Sequence, residues 1–155
     1  MSENTVDLLL EAGYSYLGNG LSDDIPHYWV SDFAARRSIL TLPYYYHFDD
    51  QFFLLFPKKG TGLEYADALF ANWVAEFNAQ YRRGRFFNMA LHPSAVGWCN
   101  RIKVLEDFFE HMDRAPNLWN PTSGDCAAYW AKAYPACTTL KLEESIWQDY
   151  PGSGS

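Results

Sequence analysis

From Leu63 onward the apolar residues Leu69, Phe70, Trp73, Val74 and Phe77 recur at three- and four-residue steps, the spacing that lines one face of an α-helix. The pattern predicts a long amphipathic helix ending near Arg83-Gly84. Arg85 to Leu91 breaks that period. Its residues Phe86, Phe87, Met89, Ala90 and Leu91 form a short apolar run of the kind expected for a strand buried on both faces, closed by His92-Pro93. Ile102, Leu105, Phe109 and Met112 then define a second amphipathic helix, and Asn117-Leu-Trp-Asn-Pro reads as a short strand. Thr122 or Ser123 is placed to cap a third helix running through Tyr134 and stopped by Pro135.

The preceding part of the chain is patterned in shorter pieces. Ser2 or Asn4 can cap a short helix carrying Val6, Leu9 and Leu10, with Gly13 where it would end. Tyr14-Ser-Tyr-Leu reads as a strand, Gly18-Asn-Gly and Ser22-Asp-Asp-Ile-Pro as turns, and Tyr28-Trp-Val and Ser38-Ile-Leu-Thr-Leu-Pro as extended pieces. Tyr44 to Phe56 has strand propensity but is interrupted by Asp49 and Asp50, so it reads as a strand running into a loop. Strand and helix alternate along the chain, which points to parallel crossover units and an α/β class. No internal repeat is found. Residues 1–135 read as one domain portion, and 136–155 as a tail that wraps the surface and ends in Pro151-Gly-Ser-Gly-Ser.

Composition narrows the partners. With 155 residues, 48% of them hydrophobic, the chain can bury a sizeable core. A net charge of -7 argues against nucleic acid and anionic membrane, since cations cluster only in short pairs such as Lys58-Lys59 and Arg82-Arg83. No run approaches the about 18 apolar residues of a spanning helix, and no secretory signal opens the chain, so a cytoplasmic location is the default expectation. Cys99, Cys126 and Cys137 are widely spaced without a CxxC pair, which indicates neither a disulfide framework nor a zinc ribbon. Aromatic residues make up 18%, a content that suits both a packed interior and a sugar-stacking groove.

His92 is the first candidate for chemistry. It follows a buried apolar run and precedes Pro93, which places an imidazole at the C-terminal mouth of a parallel sheet, where ligand and catalytic groups concentrate. Its alternative is a histidine that hydrogen-bonds a loop. Asp49 and Asp50 come next; neighbours on an extended segment point to opposite faces, so one is expected to enter a site and the other to cap a turn. Reading His47 with Asp49 and Asp50 as a metal cluster lacks a further His or Cys at ligand spacing, so no metal residue is assigned. Asp23 and Asp24 read as turn residues, His27 as a surface or rim residue, and His111 as a helix residue near a C-terminus. There is no phosphate loop, G-x-S-x-G elbow or HExxH motif.

Taken together, Ser2-Glu-Asn-Thr-Val-Asp-Leu-Leu-Leu-Glu-Ala-Gly-Tyr, Asp23-Asp-Ile-Pro-His-Tyr, Leu42-Pro, Phe48-Asp-Asp and Leu91-His-Pro resemble the second half of NodB-type polysaccharide deacetylases. The likeness continues through Gly97, Arg101-Ile, Leu105-Glu and Phe108-Phe-Glu-His to Leu118-Trp, covering roughly residues 2 to 150. The subgroup it is most similar to holds allantoinase-like, cyclic-imide-hydrolase-like and peptidoglycan-deacetylase-like members. The resemblance implies the C-terminal part of a deformed (β/α) barrel that hydrolyses carbon–nitrogen bonds other than peptide bonds, in an N-acetylated sugar or a small linear or cyclic amide. It implies that His92 is the general acid toward the departing amine and that Asp49 or Asp50 orients or tunes it. Gln51 stands where the family's Asp-Asp-Trp element has its tryptophan.

The family's T-F-D-D strand, its histidine pair and its Arg-x-Pro strand have no counterpart upstream, and His47-Phe-Asp-Asp is not that first element, because no histidine pair follows it. No cofactor is therefore expected in this chain, and whether the complete domain uses a zinc-like divalent metal is left open. The chain alone is expected to be inactive, or nearly so, and to pair with an N-terminal half or self-associate. The rival expectation is a non-catalytic carbohydrate-binding or regulatory module with a degenerate site.

Overall fold

Val6, Leu9 and Leu10 share a helical face, and α1 (Thr5–Glu11) seats them against Leu17 and Ile39 in a small apolar cluster. The structure is a computed structural model and describes residues 4–55 and 65–140. Asn4 stands at the N-cap of α1, but its side chain makes no capping bond; Ser2 lies outside the described residues. Gly13 has a φ of 83°, which lets the chain leave the helix in the left-handed region at no steric cost and enter β1 (Tyr16–Gly20).

Two further strands follow, β2 (His27–Asp32) and β3 (Arg37–Pro43), in a sheet of order β1-β3-β2. β1 runs parallel to β3, whereas β2 runs antiparallel to it with Tyr28 opposite Leu40. The all-parallel arrangement expected from the sequence is thus corrected. Residues 33–36 are too few for a crossover, and they close a hairpin in which the Ala35 amide donates to Asp32 Oδ1 at 2.9 Å and Arg36 takes a φ of 52°. The central strand buries every residue from Ile39 to Pro43, as a strand flanked on both edges should.

Beyond β3 the strand expected to run into a loop over Tyr44 to Phe56 is replaced, among the described residues, by a 3-10 turn (Tyr46–Phe48) and a short helix, α2 (Asp50–Leu54), Phe56 lying outside them. The Asp49 side chain accepts the Gln51 amide and so caps α2, a local bond that competes with strand pairing. The larger core lies between α3 (Ala66–Arg82) and α5 (Cys99–Asp113), where Leu69, Trp73 and Phe77 meet Val104 and Phe108. Helix α3 ends at Arg83 and Gly84, as its pattern predicts; Leu63, where the pattern begins, lies outside the described residues. The buried face of α5 is not the expected one. Val104 and Phe108 are buried, whereas Ile102 and Phe109 are 38% and 46% exposed. Leu105 and Met112 flank the core.

Arg85 to Leu91 is extended but is not a strand: it makes one isolated parallel bridge, Ala90 with Asp49. Phe87, Met89 and Leu91, two residues apart, all pack against the large core, the side-chain alternation of a β-strand. A ladder needs successive bridges to a neighbouring strand, and the described residues supply a single bridge. The expected strand at Asn117 to Pro121 is also absent, because Asn117 takes a φ of 62°, outside the extended region.

His92 leads into α4 (Pro93–Val96), and α6 (Ser123–Ala133) closes the domain. Thr122 Oγ1 accepts the Asp125 amide at 3.1 Å at the start of α6. Replacing Thr122 with alanine is expected to cost about 1 kcal/mol in urea unfolding, the usual worth of such a cap. A short α7 (Ala136–Thr139) follows, and Tyr28 Oη donates to Tyr134 O at 2.8 Å, tying the end of α6 to the sheet. The remainder of the expected tail, 141–155, lies outside the described residues. The observed class is mixed α/β with an open three-stranded sheet; no closed barrel forms among the described residues. No helix among them is long and apolar enough to cross a membrane.

Candidate active site

Asp49 and Asp50 are buried to 1% and 0% exposure, a placement that is costly for a carboxylate unless its oxygens find donors. They do. Asp49 Oδ1 accepts the Gln51 amide at 2.9 Å, and Oδ2 accepts Gln51 Nε2 at 3.0 Å and the Tyr44 hydroxyl. Asp50 takes the backbone amide of His92 on both oxygens, at 2.9 and 3.1 Å, and His92 Nδ1 at 2.7 Å. His92 Nδ1 also lies 3.5 Å from Asp49 Oδ1.

The sequence places these groups 42 positions apart, and the Ala90–Asp49 bridge brings them together. His92 is held from behind as well, because its carbonyl accepts the amides of Ala95 and Val96 at 2.8 and 2.9 Å and Pro93 fixes the backbone as α4 begins. The two aspartates do not oppose each other as neighbours on a strand would. Asp49 is extended and Asp50 opens a helix, so both carboxylates converge on one imidazole.

Electrostatics follow from this geometry. The hydrogen bond that His92 donates to Asp50, with help from the charges of Asp49 and Asp50, raises the His92 pKa above its ordinary value of 6.5 against a smaller opposing effect of desolvation. Nδ1 faces two carboxylates and therefore carries a proton in either state, which leaves Nε2 as the atom that gains or loses one. The His92 side chain is 40% exposed, and no partner occupies Nε2 among the described residues. Burial, and then the bond to Asp49, push Tyr44 up to about 12, so its hydroxyl remains a donor at neutral pH. Because the folded pKa of His92 is raised, its protonated form adds stability that is full below 6.5 and is lost as pH rises through the folded value.

Asp49, Asp50 and His92 each offer one ligand atom, all within 4.8 Å of one another. As arranged they do not fit a resident metal: the oxygens of Asp49 and Asp50 already accept protein donors, and Nδ1 is the proton carrier toward Asp50. Dialysis against zinc followed by metal analysis is expected to leave no stoichiometric ion, and a retained equivalent would overturn that reading. The side chain of His47, considered with these aspartates from the sequence, lies outside what the structure describes.

Other sequence candidates stay apart from this cluster. Asp23 accepts the Asp24 amide in its turn, Asp24 pairs with Arg85 at 3.5 Å, and His111 meets Asn78 at 2.9 Å. His27, expected as a surface or rim residue, is half-buried, with Nδ1 3.1 Å from the Ile25 carbonyl. Sequence reading missed Tyr44 and Gln51. Their signal was indirect: a buried carboxylate needs donors close by in the chain, and these two are the flanking residues that reach Asp49.

No protein-family model matches the chain, and no curated protein matches its sequence. Solved structures do match. A "probable polysaccharide deacetylase" from Pseudomonas aeruginosa PAO1 is 23% identical with a TM-score of 0.73 over 85% of this chain and 44% of its own. The PuuE allantoinase is 23% identical with a TM-score of 0.74 over 87% of this chain and 45% of its own. A Mycobacterium smegmatis structure, also described as a polysaccharide deacetylase, is 25% identical with a TM-score of 0.75 over 86% and 46%. The NodB-type resemblance read from Phe48-Asp-Asp and Leu91-His-Pro is borne out in the fold, and the chain spans less than half the length of these structures.

Proposed function

We propose that this chain supplies the proton-donating part of a hydrolytic site for carbon–nitrogen bonds other than peptide bonds. The observation that carries the reading is the dyad: His92 Nδ1 lies 2.7 Å from a fully buried Asp50 carboxylate, on a half-exposed ring whose Nε2 has no protein partner among the described residues. In such a site water adds to the carbonyl carbon, and the tetrahedral adduct collapses as the carbon–nitrogen bond breaks. His92 Nε2–H then delivers its proton to the departing nitrogen, while Nδ1–H stays on Asp50, which stabilises the imidazolium beforehand and fixes the ring. Asp49 adds a second negative charge beside Nδ1, kept in place by Tyr44 and Gln51.

Residues 1–135 are read as the C-terminal portion of the domain and 136–155 as a tail. Activation of the water, and any zinc-like metal, would come from the portion of domain that the similar structures have and this chain does not. The substrate would be an N-acetylated sugar or a linear or cyclic amide, a reading supported by similar structures named a polysaccharide deacetylase and an allantoinase.

The dyad can be tested on the chain itself. Titrating the His92 ring by NMR should give a midpoint above 6.5 that falls in Asp50→Asn, because the largest raising influence is the Asp50 bond. A midpoint at or below the ordinary value, or one unmoved in Asp50→Asn, removes the basis for a poised acid. A second reading, a carbohydrate-binding module, is favoured by Trp119 and Tyr129, stacked edge to face and both more than half exposed. Depletion of the chain by insoluble chitin or glucan would support it.

A further inference from the structure

We infer that Tyr44 is a positioning residue for His92: its hydroxyl holds Asp49 and offsets that carboxylate's charge, so that Nδ1 of the imidazolium is bonded to Asp50 rather than shared with Asp49, and the ring can give up its proton. The inference rests on reading His92 as the proton donor and adds the group that sets how readily it donates.

Two buried carboxylates beside one imidazole pose a problem of acid strength. A general acid works best with a pKa near the working pH, and each negative charge next to the ring holds the proton more tightly. Asp50 Oδ1 already takes Nδ1 at 2.7 Å. Asp49 Oδ1 lies 3.5 Å from the same nitrogen, too far for a good hydrogen bond but close for a charge. The donors on Asp49 keep it there. Its Oδ1 accepts the Gln51 amide at 2.9 Å, and its Oδ2 accepts Gln51 Nε2 at 3.0 Å and the Tyr44 hydroxyl. Each of these puts a positive hydrogen on the carboxylate and so weakens the negative potential felt at the imidazole. Those on Oδ2 also stop the group from turning toward the ring, since the last torsion of an aspartate is otherwise loose.

Tyr44 is the donor that comes from outside the capping turn of α2. It follows Pro43 at the end of β3, where its amide donates to the Gly20 carbonyl at 2.7 Å, and its ring meets Tyr46 edge to face, with centroids 5.6 Å apart. Backbone and ring are therefore both held before the hydroxyl is placed. Burial, and then Asp49, push its pKa up to about 12, so it remains a donor at neutral pH. Among the described residues the charges that bear on His92 are those of Asp49 and Asp50, and Tyr46 bears on Tyr44.

The test is an NMR titration of the His92 ring in variants of the chain. Tyr44→Phe keeps the ring and deletes the donor, and the His92 midpoint should rise by about 0.5 pH unit or more, roughly a threefold gain in proton affinity. Asp49→Asn keeps a capping side chain without the charge and should lower the midpoint; adding Tyr44→Phe to it should then leave the midpoint unmoved. Gln51→Met removes the other side-chain donor on Oδ2 while sparing the backbone amide, and should act in the same direction as Tyr44→Phe. It decides the matter should Asp49→Asn fail to fold. A midpoint that stays or falls in Tyr44→Phe, no rise in Gln51→Met, or a rise of equal size without the Asp49 charge overturns the inference. A merely structural tyrosine would lower the urea midpoint and leave the His92 titration alone. The Asp50→Asn variant separates the two readings: if it fails to lower the midpoint, the poised acid is lost while a Tyr44–Asp49 coupling stands, and a normal drop without that coupling does the reverse.

Discussion

Under the proposed function, in a domain that also contains the part of the similar structures this chain does not cover, His92→Ala should lower turnover by about 10²-fold or more while leaving the fold largely intact, the size expected when a general acid is lost. Asp50 holds the ring by Nδ1 and by the backbone amide, Pro93 and the carbonyl bonds to Ala95 and Val96 hold the backbone, and the half-exposed imidazole contributes little packing. Rate per folded molecule and unfolding midpoint should be measured on the same variant. A structural histidine would lower the midpoint and leave the rate within about threefold, well short of a general-acid contribution. The pH profile adds an independent sign. Turnover that needs protonated His92 falls as pH rises through its pKa, and since the Asp50 bond raises that pKa, the falling limb should move to lower pH in Asp50→Asn.

The second large effect is on stability. Phe108→Ala should cost about 3–5 kcal/mol, the range for emptying an aromatic site in a closed core. Its ring is fully buried, with centroids 5.5 Å from Trp73, 5.9 Å from Phe77 and 5.8 Å from Phe87, so the void would be lined by three rings anchored on other segments. Against a domain stability of about 5–15 kcal/mol, that loss should remove much of the cooperative transition in urea. The neighbouring Phe109→Ala is the control. Phe109 is 46% exposed, and its loss should stay within about 1 kcal/mol in the isolated chain. Equal effects at the two positions would mean that α5 packs by the face that the apolar pattern first indicates.

That pair shows where sequence pattern runs out. Ile102, Leu105, Phe109 and Met112 and the alternative Val104 and Phe108 all have helical spacing on a helix rich in apolar residues, so periodicity identifies α5 without identifying its buried face. The choice is made by the ring cluster of α3 and by Phe87, which only the folded chain puts opposite Phe108. Helix α3 left no such ambiguity, since Leu69, Trp73 and Phe77 form one narrow stripe.

By itself the sequence determined the elements whose cause is local. The apolar stripe made α3, Thr122 and Pro135 bounded α6, and the β-rich run before Pro43 made β3, because period, capping and missing amides act within a few residues. It also placed His92 after an apolar extended run and before proline. Tertiary structure alone decided whether extended residues found partners. Arg37 to Pro43 lies between two strands and becomes a buried central strand, whereas Arg85 to Leu91, of similar apolar character, has one bridge and stays unladdered. It decided too that Asp49 and Asp50, adjacent in the chain, converge on an imidazole 42 residues away from Asp50, since capping at Asp49 turns the chain where a strand would have splayed them apart. The donors to Asp49 are local, but those to Asp50 among the described residues all come from His92, a long-range pairing that no local pattern encodes.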